Sequence, residues 1–70
     1  MNGVFDVVEE HGVLATAYRL KPVGLTHDEA VAKATAHMGD PAGKRRWFAL
    51  HVVPSGHGID RSVLTLRGEA

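Results

Sequence analysis

Only one stretch of the sequence carries the signals of a helix, and it lies between two stretches whose residues favour strands. Thr26 is followed three residues later by Glu29, which makes a capping box that satisfies free backbone N–H groups at a helix start. The helix is predicted to run from about His27 to Met38, and Gly39 is predicted to end it in a left-handed conformation. A single short helix between strand-forming segments predicts an α+β fold.

The predicted helix has one narrow apolar side that is rich in alanine. At about 100° per residue, this stripe comprises Ala30, Val31, Ala34 and Met38, and the opposite side comprises Asp28, Glu29, Ala32, Lys33 and Ala36. Because the side chains of the stripe are small, the helix can lie close against a sheet.

The segments on either side of the helix each predict a β-hairpin. In the first, residues 4–10 and 13–21 flank His11-Gly12, where glycine supplies the positive φ of a tight two-residue turn. That turn would place Phe5 opposite Tyr18 and Val7 opposite Thr16. In the second, strands at residues 45–53 and 61–67 flank a glycine-rich loop.

The resulting order β-β-α-β-β predicts a four-stranded, mostly antiparallel sheet with the helix packed on one face. This order resembles the β-grasp class of ubiquitin-like and immunoglobulin-binding domains, and residues 64–68 are similar to the tail of ubiquitin. The chain continues to Glu69 and Ala70, however, and lacks the terminal double glycine that conjugation requires. An antiparallel meander fits the pattern equally well, so the strand order stays open. We read the 70 residues as a single domain.

One helix can cover only one face of such a sheet. The alternation of side chains along the strands divides them into two sets. The covered face is predicted to hold Phe5, Val7, Leu14, Tyr18, Leu20, Phe48, Leu50, Val52, Leu64 and Leu66. The uncovered face is predicted to hold Val4, Val8, Ala15, Ala17, Trp47, Ala49, Val53 and Val63, interrupted by Asp6, Arg19, His51, Thr65 and Arg67.

This second face is more apolar than a solvated face normally is, which is typical of a surface that associates. We therefore predict a noncatalytic interaction module that forms a homodimer or binds another macromolecule through it, with Trp47 as the anchor. Such small modules suit a phage or mobile-element inhibitor or adaptor of a host factor. In the alternative interpretation, Trp47 belongs to the core. The predicted partner-binding residues are Trp47, Arg45, Arg46, Ala49, His51, Arg19, Val63 and Arg67.

The charge distribution favours a second function, nucleic-acid binding by an accessory protein. Residues 1–40 carry three basic and six acidic side chains, whereas residues 41–70 carry five basic and two acidic ones, for a net charge of zero. Lys44, Arg45 and Arg46 lead directly into Trp47 and Phe48, which combines cations that attract phosphates with rings that stack on unpaired bases.

The sequence contains no strong signature of catalysis or metal binding. Without cysteine there is no disulfide and no thiolate zinc site. Among the five histidines, His11 and His27 occupy ordinary exposed positions, and His37 lies too far from His27 to share a ligand. His51 and His57 could approach each other near Asp60, and Ser55, His57 and Asp60 are residue types of nucleophilic catalysis, but a flexible glycine-rich loop does not hold such groups in register. We predict no enzyme, cofactor, metal or small-molecule substrate.

The start of the chain does not resemble a targeting segment. Its first twenty residues include Asp6, Glu9 and Glu10 and no unbroken apolar run, so neither a signal peptide nor a membrane span is predicted. A cytoplasmic location is expected.

Overall fold

The computed structural model describes residues 3–12, 16–39 and 47–69. The strands are β1 (Phe5–His11), β2 (Thr16–Arg19), β3 (Trp47–Pro54) and β4 (Leu64–Glu69), and the helix is α1 (His27–Met38). A short 3₁₀ turn at Ile59–Arg61 precedes β4, which therefore begins later than predicted. Within the described ranges, no helix combines the length and the apolar character needed to cross a bilayer.

The four strands form one sheet in the order β2-β1-β3-β4, with every neighbouring pair antiparallel and α1 packed against it. This confirms the predicted α+β class. The order is not a meander, in which every strand lies beside the next strand along the chain. Here β1 lies between β2 and β3, so β2 and β3 are not neighbours. It is not the β-grasp order either, in which the first and last strands lie side by side in parallel. Here β4 lies at an edge, with β3 between it and β1.

The first hairpin has a different register from the predicted one. Glu9 lies opposite Tyr18 and His11 opposite Thr16, so four residues, rather than two, separate the paired strands. Gly12 does have the predicted positive φ, 43°, while residues 13–15 lie outside the described part of the chain. The register differs by four residues, an even number, so each strand keeps its predicted faces.

The helix has the predicted bounds and the predicted start. The backbone N–H of Thr26 donates to Glu29 Oε1 at 2.9 Å, and the N–H of Glu29 donates to Thr26 Oγ1 at 3.2 Å. The left-handed stop is wrong, however, because Gly39 has φ −79° and ψ −8° and stays in the right-handed helical region. Its N–H is taken up by the carbonyls of Thr35 and Ala36, which continues the helical hydrogen bonding by one residue.

The core lies between α1 and the sheet. Ala30 and Ala34 of the predicted stripe are buried against Val7, Leu50 and Val52. Partly buried side chains surround this cluster, namely Phe5, Leu20, Leu25, Met38, Leu64 and Leu66.

Tyr18, a member of the predicted covered face, is not part of this core. It is 56% exposed on the edge strand β2, because α1 packs mainly over β1, β3 and β4. Leu14 lies outside the described residues, as does Ala15 of the opposite set.

Candidate interaction surface

The sheet face opposite α1 differs from the exposed apolar surface that the sequence predicted. Its central residues are buried, with Ala49 1%, Val53 0% and Val8 5% exposed. The loop of residues 55–62 reaches this face through hydrogen bonds to Asp6, Arg19 and His51. Two polar clusters, one centred on Asp6 and one on His51, hold that loop in place.

Asp6 is a buried carboxylate, 2% exposed, that accepts four hydrogen bonds. Its Oδ1 accepts from the backbone N–H of Gly24 and from Ser55 Oγ, both at 2.9 Å. Its Oδ2 accepts from the N–H of Gly56 at 3.0 Å and from the Arg19 guanidinium at 2.6 Å. The same guanidinium donates its other nitrogen to the carbonyl of His57 at 2.6 Å. Asp6 and Arg19 together therefore join β1, β2, the turn before α1 and the loop after β3.

This environment favours the charged form of Asp6. Burial alone would raise the pKa of the carboxyl, but the hydrogen bonds from Gly24, Gly56, Ser55 and Arg19 outweigh it and hold the pKa below its ordinary 3.8. A carboxylate with all four acceptor directions occupied has none left for a substrate or a metal ion. Asp6 thus has a structural role here.

His51 is the centre of the second cluster and is 4% exposed. Its Nε2 lies 2.9 Å from Glu10 Oε1, and its Nδ1 lies 3.1 Å from Thr65 Oγ1 and 3.2 Å from Ser62 Oγ. Ser62 Oγ also donates to the carbonyl of Ile59 at 2.6 Å. The cluster therefore links three strands and the 3₁₀ turn.

The order carboxylate, imidazole, hydroxyl in this cluster is also the order of a nucleophilic triad. In a triad the imidazole accepts the proton of one free hydroxyl. Here two hydroxyls share Nδ1 of His51, and the hydroxyl proton of Ser62 is already directed to Ile59. This geometry fits a satisfied buried histidine better than an activated nucleophile.

The predicted partner-binding residues fall into three groups. Arg19, Val63 and Arg67 are exposed on this face, with Val63 54% exposed, although both terminal nitrogens of Arg19 are engaged in the Asp6 cluster. Ala49 and His51 are buried within the single chain and so are not offered to a partner. Arg45 and Arg46 lie outside the described residues, and Trp47 is described only as the first backbone position of β3.

The exposed side chains that remain form a strip along β4, which we call the β4 rim: Arg61, Val63, Thr65 and Arg67. Thr65 and Arg67 alternate with Leu64 and Leu66 along β4 and share the face opposite α1. Val63 directly precedes β4, and its N–H donates to the carbonyl of Val52 at 2.8 Å, one residue out of the β3–β4 register. Arg61 precedes them in the 3₁₀ turn and makes only a long, exposed contact of 3.8 Å with Asp60. Among the side chains that the structure describes, Arg67 has no ion-pair partner. The rim therefore contains two exposed arginines and an exposed valine close together in the sequence.

The other candidate residues do not form the sites considered from sequence. Ser55 is bound to Asp6, Asp60 lies beside Arg61, and His57 contributes its backbone carbonyl, so the three do not make a triad. No group of three or more histidine or acidic residues within the described ranges could hold a metal ion.

A histidine cluster on the α1 side was not found from sequence. His11 ends β1 with a side chain only 13% exposed, rather than sitting in an exposed turn. Its Nε2 lies 3.1 Å from Glu9 Oε1, and His37 Nδ1 lies 4.0 Å from Glu9 Oε2. The longer turn places His11 inside β1, and only the alternation of Glu9 and His11 along that strand hinted at a shared face.

No family model matches the sequence, and neither the curated proteins nor the solved structures that were compared contain a match.

Proposed function

We propose that this chain is a noncatalytic interaction module that binds an acidic surface of a partner protein through the β4 rim. One observation carries the proposal: on the face opposite α1, the groups suited to acid–base chemistry are used in internal hydrogen bonds, and cationic and aliphatic groups remain exposed. Arginine and apolar side chains side by side are typical of protein interfaces.

The clusters around Asp6 and His51 support the proposal because they fix the position of the rim before any partner arrives. Thr65 is tied to His51, and Ser62, next to Val63, is tied to both His51 and Ile59. A surface that is already ordered loses less conformational entropy on binding. The rim is thus a preorganised surface rather than a flexible loop.

Nucleic-acid binding is the second candidate, and the sheet order favours it. Arg67 lies opposite Ala49 on β3, two residues from Trp47. The basic residues 44–46 precede Trp47 in the sequence, so the chain enters the sheet at the end where Arg67 stands. Guanidinium groups there would suit phosphates as well as carboxylates.

Fluorescence anisotropy at low salt with two labelled probes tests the proposal: a peptide of alternating glutamate and valine, and a single-stranded oligonucleotide of about 20 nucleotides. The double variant Arg61→Glu/Arg67→Glu should weaken peptide binding by roughly tenfold, because it replaces attraction by repulsion at two positions. The double variant Lys21→Glu/Lys33→Glu is the matched control, since it changes the net charge equally outside the rim. It should bind the peptide as the unmodified chain does.

Two results would contradict protein binding through the rim. One is an equal loss of peptide binding in the rim variant and its control, which would indicate a net-charge effect. The other is tight, salt-sensitive binding of the oligonucleotide alone, which would favour the second candidate. In that case Arg45→Glu/Arg46→Glu should abolish binding of the oligonucleotide.

A further inference from the structure

The strand order leaves β4 at one edge of the sheet, with six residues along it. An edge strand exposes backbone N–H and C=O groups that can pair with another strand. Which groups point outward follows from the hydrogen bonds across the sheet, because backbone groups alternate in direction along a strand.

The alternation can be traced from β1. The N–H of Leu20 donates to the carbonyl of Val7 at 2.8 Å, so the backbone groups of Val7 point towards β2. Those of Asp6 and Val8 then point towards β3, in agreement with the hydrogen bond from Ser55 N to the carbonyl of Val4. Their partners on β3 in turn point back towards β1.

On β3 the intervening residues must therefore point towards β4. Val52 does so, since its carbonyl accepts from the N–H of Val63 at 2.8 Å. In the observed register Val52 lies opposite Leu64, and Leu50 lies opposite Leu66. Leu64 and Leu66 are thus hydrogen-bonded to β3, and the backbone groups of Thr65 and Arg67 point out of the sheet.

This edge has only part of the usual protection against pairing. Natural edge strands carry charges, proline or bulges. β4 carries Arg67, and the hydrogen bond from Val63 N–H to the carbonyl of Val52 makes its start irregular. Its α1 side, however, holds Leu64, Leu66 and Gly68 and no charge. Both leucines are only partly buried. The opposite edge, β2, has just four residues and is soon followed by Pro22.

We propose that β4 pairs antiparallel with β4 of a second copy of this chain, with Leu66 opposite its own counterpart. In this register Thr65 lies opposite Arg67 of the second copy, so both outward-pointing residues take part in the new ladder. Leu64 lies opposite Gly68 of the second copy. Shifting one strand by two residues relative to the other would instead place Arg67 of one copy opposite Arg67 of the other. Two like charges directly opposite each other destabilise a strand pair.

The pairing produces one continuous eight-stranded sheet with both helices on the same face. On the other face the two β4 rims lie side by side. The pairing does not require the proposed binding function, but it would double the cationic surface available to an acidic partner.

Sedimentation equilibrium between roughly 1 and 100 μM tests the pairing, because strand-edge dimers of this size associate in a concentration-dependent way. Arg67→Pro removes an outward N–H without removing a hydrogen bond to β3, so it should keep the native circular dichroism and associate at least tenfold more weakly. Arg67→Ala removes the same charge and keeps the N–H, so it should associate like the unmodified chain.

The absence of cysteine allows a second measurement that reports the register. A pair of directly opposed residues that are not hydrogen-bonded has Cα atoms about 4.5 Å apart, within reach of a disulfide. Leu66→Cys should therefore form a crosslinked dimer on mild oxidation. Leu64→Cys, on the same face but far from its own counterpart, should not.

A chain that stays monomeric across this concentration range, or equal association of the proline and alanine variants, would overturn the pairing. Equal crosslinking of the two cysteine variants would overturn the register. These results are separate from the probe titrations, because a monomer that binds the acidic peptide contradicts the pairing alone.

Discussion

Asp6 holds together parts of the chain that are far apart in sequence. Its donors are 13, 18, 49 and 50 residues away. A buried carboxylate is tolerated only when it is paired and hydrogen-bonded, and here the Arg19 guanidinium and three further donors meet that requirement. The residue therefore fixes the loop of residues 55–62 over the sheet.

The substitution Asp6→Asn should destabilise the protein by about 3 kcal/mol, because an amide keeps one acceptor, loses the charge and turns its NH₂ towards existing donors. Urea unfolding followed by circular dichroism measures this. Asp60→Asn is the control, since Asp60 is exposed and makes only a 3.8 Å contact, and it should change stability by less than about 0.5 kcal/mol.

The pH dependence of unfolding checks the same point. Because folding lowers the pKa of Asp6 below 3.8, its contribution to stability is complete above that pH and is lost as the pH falls towards the folded value. The unmodified chain should therefore lose stability more steeply than Asp6→Asn as the pH falls below about 4. Parallel curves for the two proteins would show that Asp6 is not the carboxylate responsible.

At the residue scale, the sequence predicted which face each described strand residue occupies but not what Asp6 and His51 do. The faces follow from the local alternation of side chains, and an even register shift leaves them unchanged. The two polar clusters depend on contacts between segments distant in sequence, including Glu10 with His51, 41 residues apart. No local pattern encodes such a contact.

At the scale of elements, the approach of α1 to the edge of the sheet depends on Gly68. A Cβ at this position would lie 2.8 Å from Phe48 Cζ and 3.0 Å from Met38 Cε. The absence of a side chain on β4 thus lets a ring from β3 and the last residue of α1 meet above it. The helix C-terminus is positioned by this contact.

The substitution Gly68→Ala should destabilise the protein by about 1–3 kcal/mol, because Phe48 and Met38 would have to move in a packed core. Gly39→Ala is the matched control. Its Cβ would lie 3.6 Å from the carbonyl oxygen of Ala36, an ordinary contact, and its φ is negative, so it should be neutral or slightly stabilising. If thermal unfolding gave equal effects for both, the close packing at Gly68 would be disproved.

The elements differ in how far the sequence determines them. The start of α1 follows from a capping box only four residues long, which acts locally. The register of the first hairpin and the strand order do not, because they depend on the length of the turn and on how β3 returns beside β1. The sequence predicted the β4 rim only in part. Alternation along the strand predicted Val63 and Arg67 as partner-binding residues, whereas Arg61 was predicted to begin the strand and lies in the 3₁₀ turn instead.

At the scale of the whole molecule, the sheet is covered on both sides although the described chain contains a single helix. Val7, Leu50 and Val52 face α1, while Val8, Ala49 and Val53 are buried on the opposite face, which the loop of residues 55–62 contacts at Asp6 and His51. The sequence suggested an open face because that loop contains turn-forming residues and no apolar pattern. The loop is tied to this face instead by hydrogen bonds to Asp6 and His51.

This two-sided burial predicts that Val53→Ala is costly. Val53 is 0% exposed on the face opposite α1, so losing two methyl groups should leave a cavity and destabilise the protein by about 2–3 kcal/mol. For a domain of this size, that lowers Tm by roughly 10 °C or more. Val63→Ala makes the same chemical change at a position 54% exposed, and we expect it to destabilise the protein by less than about 0.5 kcal/mol. Differential scanning calorimetry of the two variants decides between a covered face and an open one, because an open face would make both substitutions equally mild.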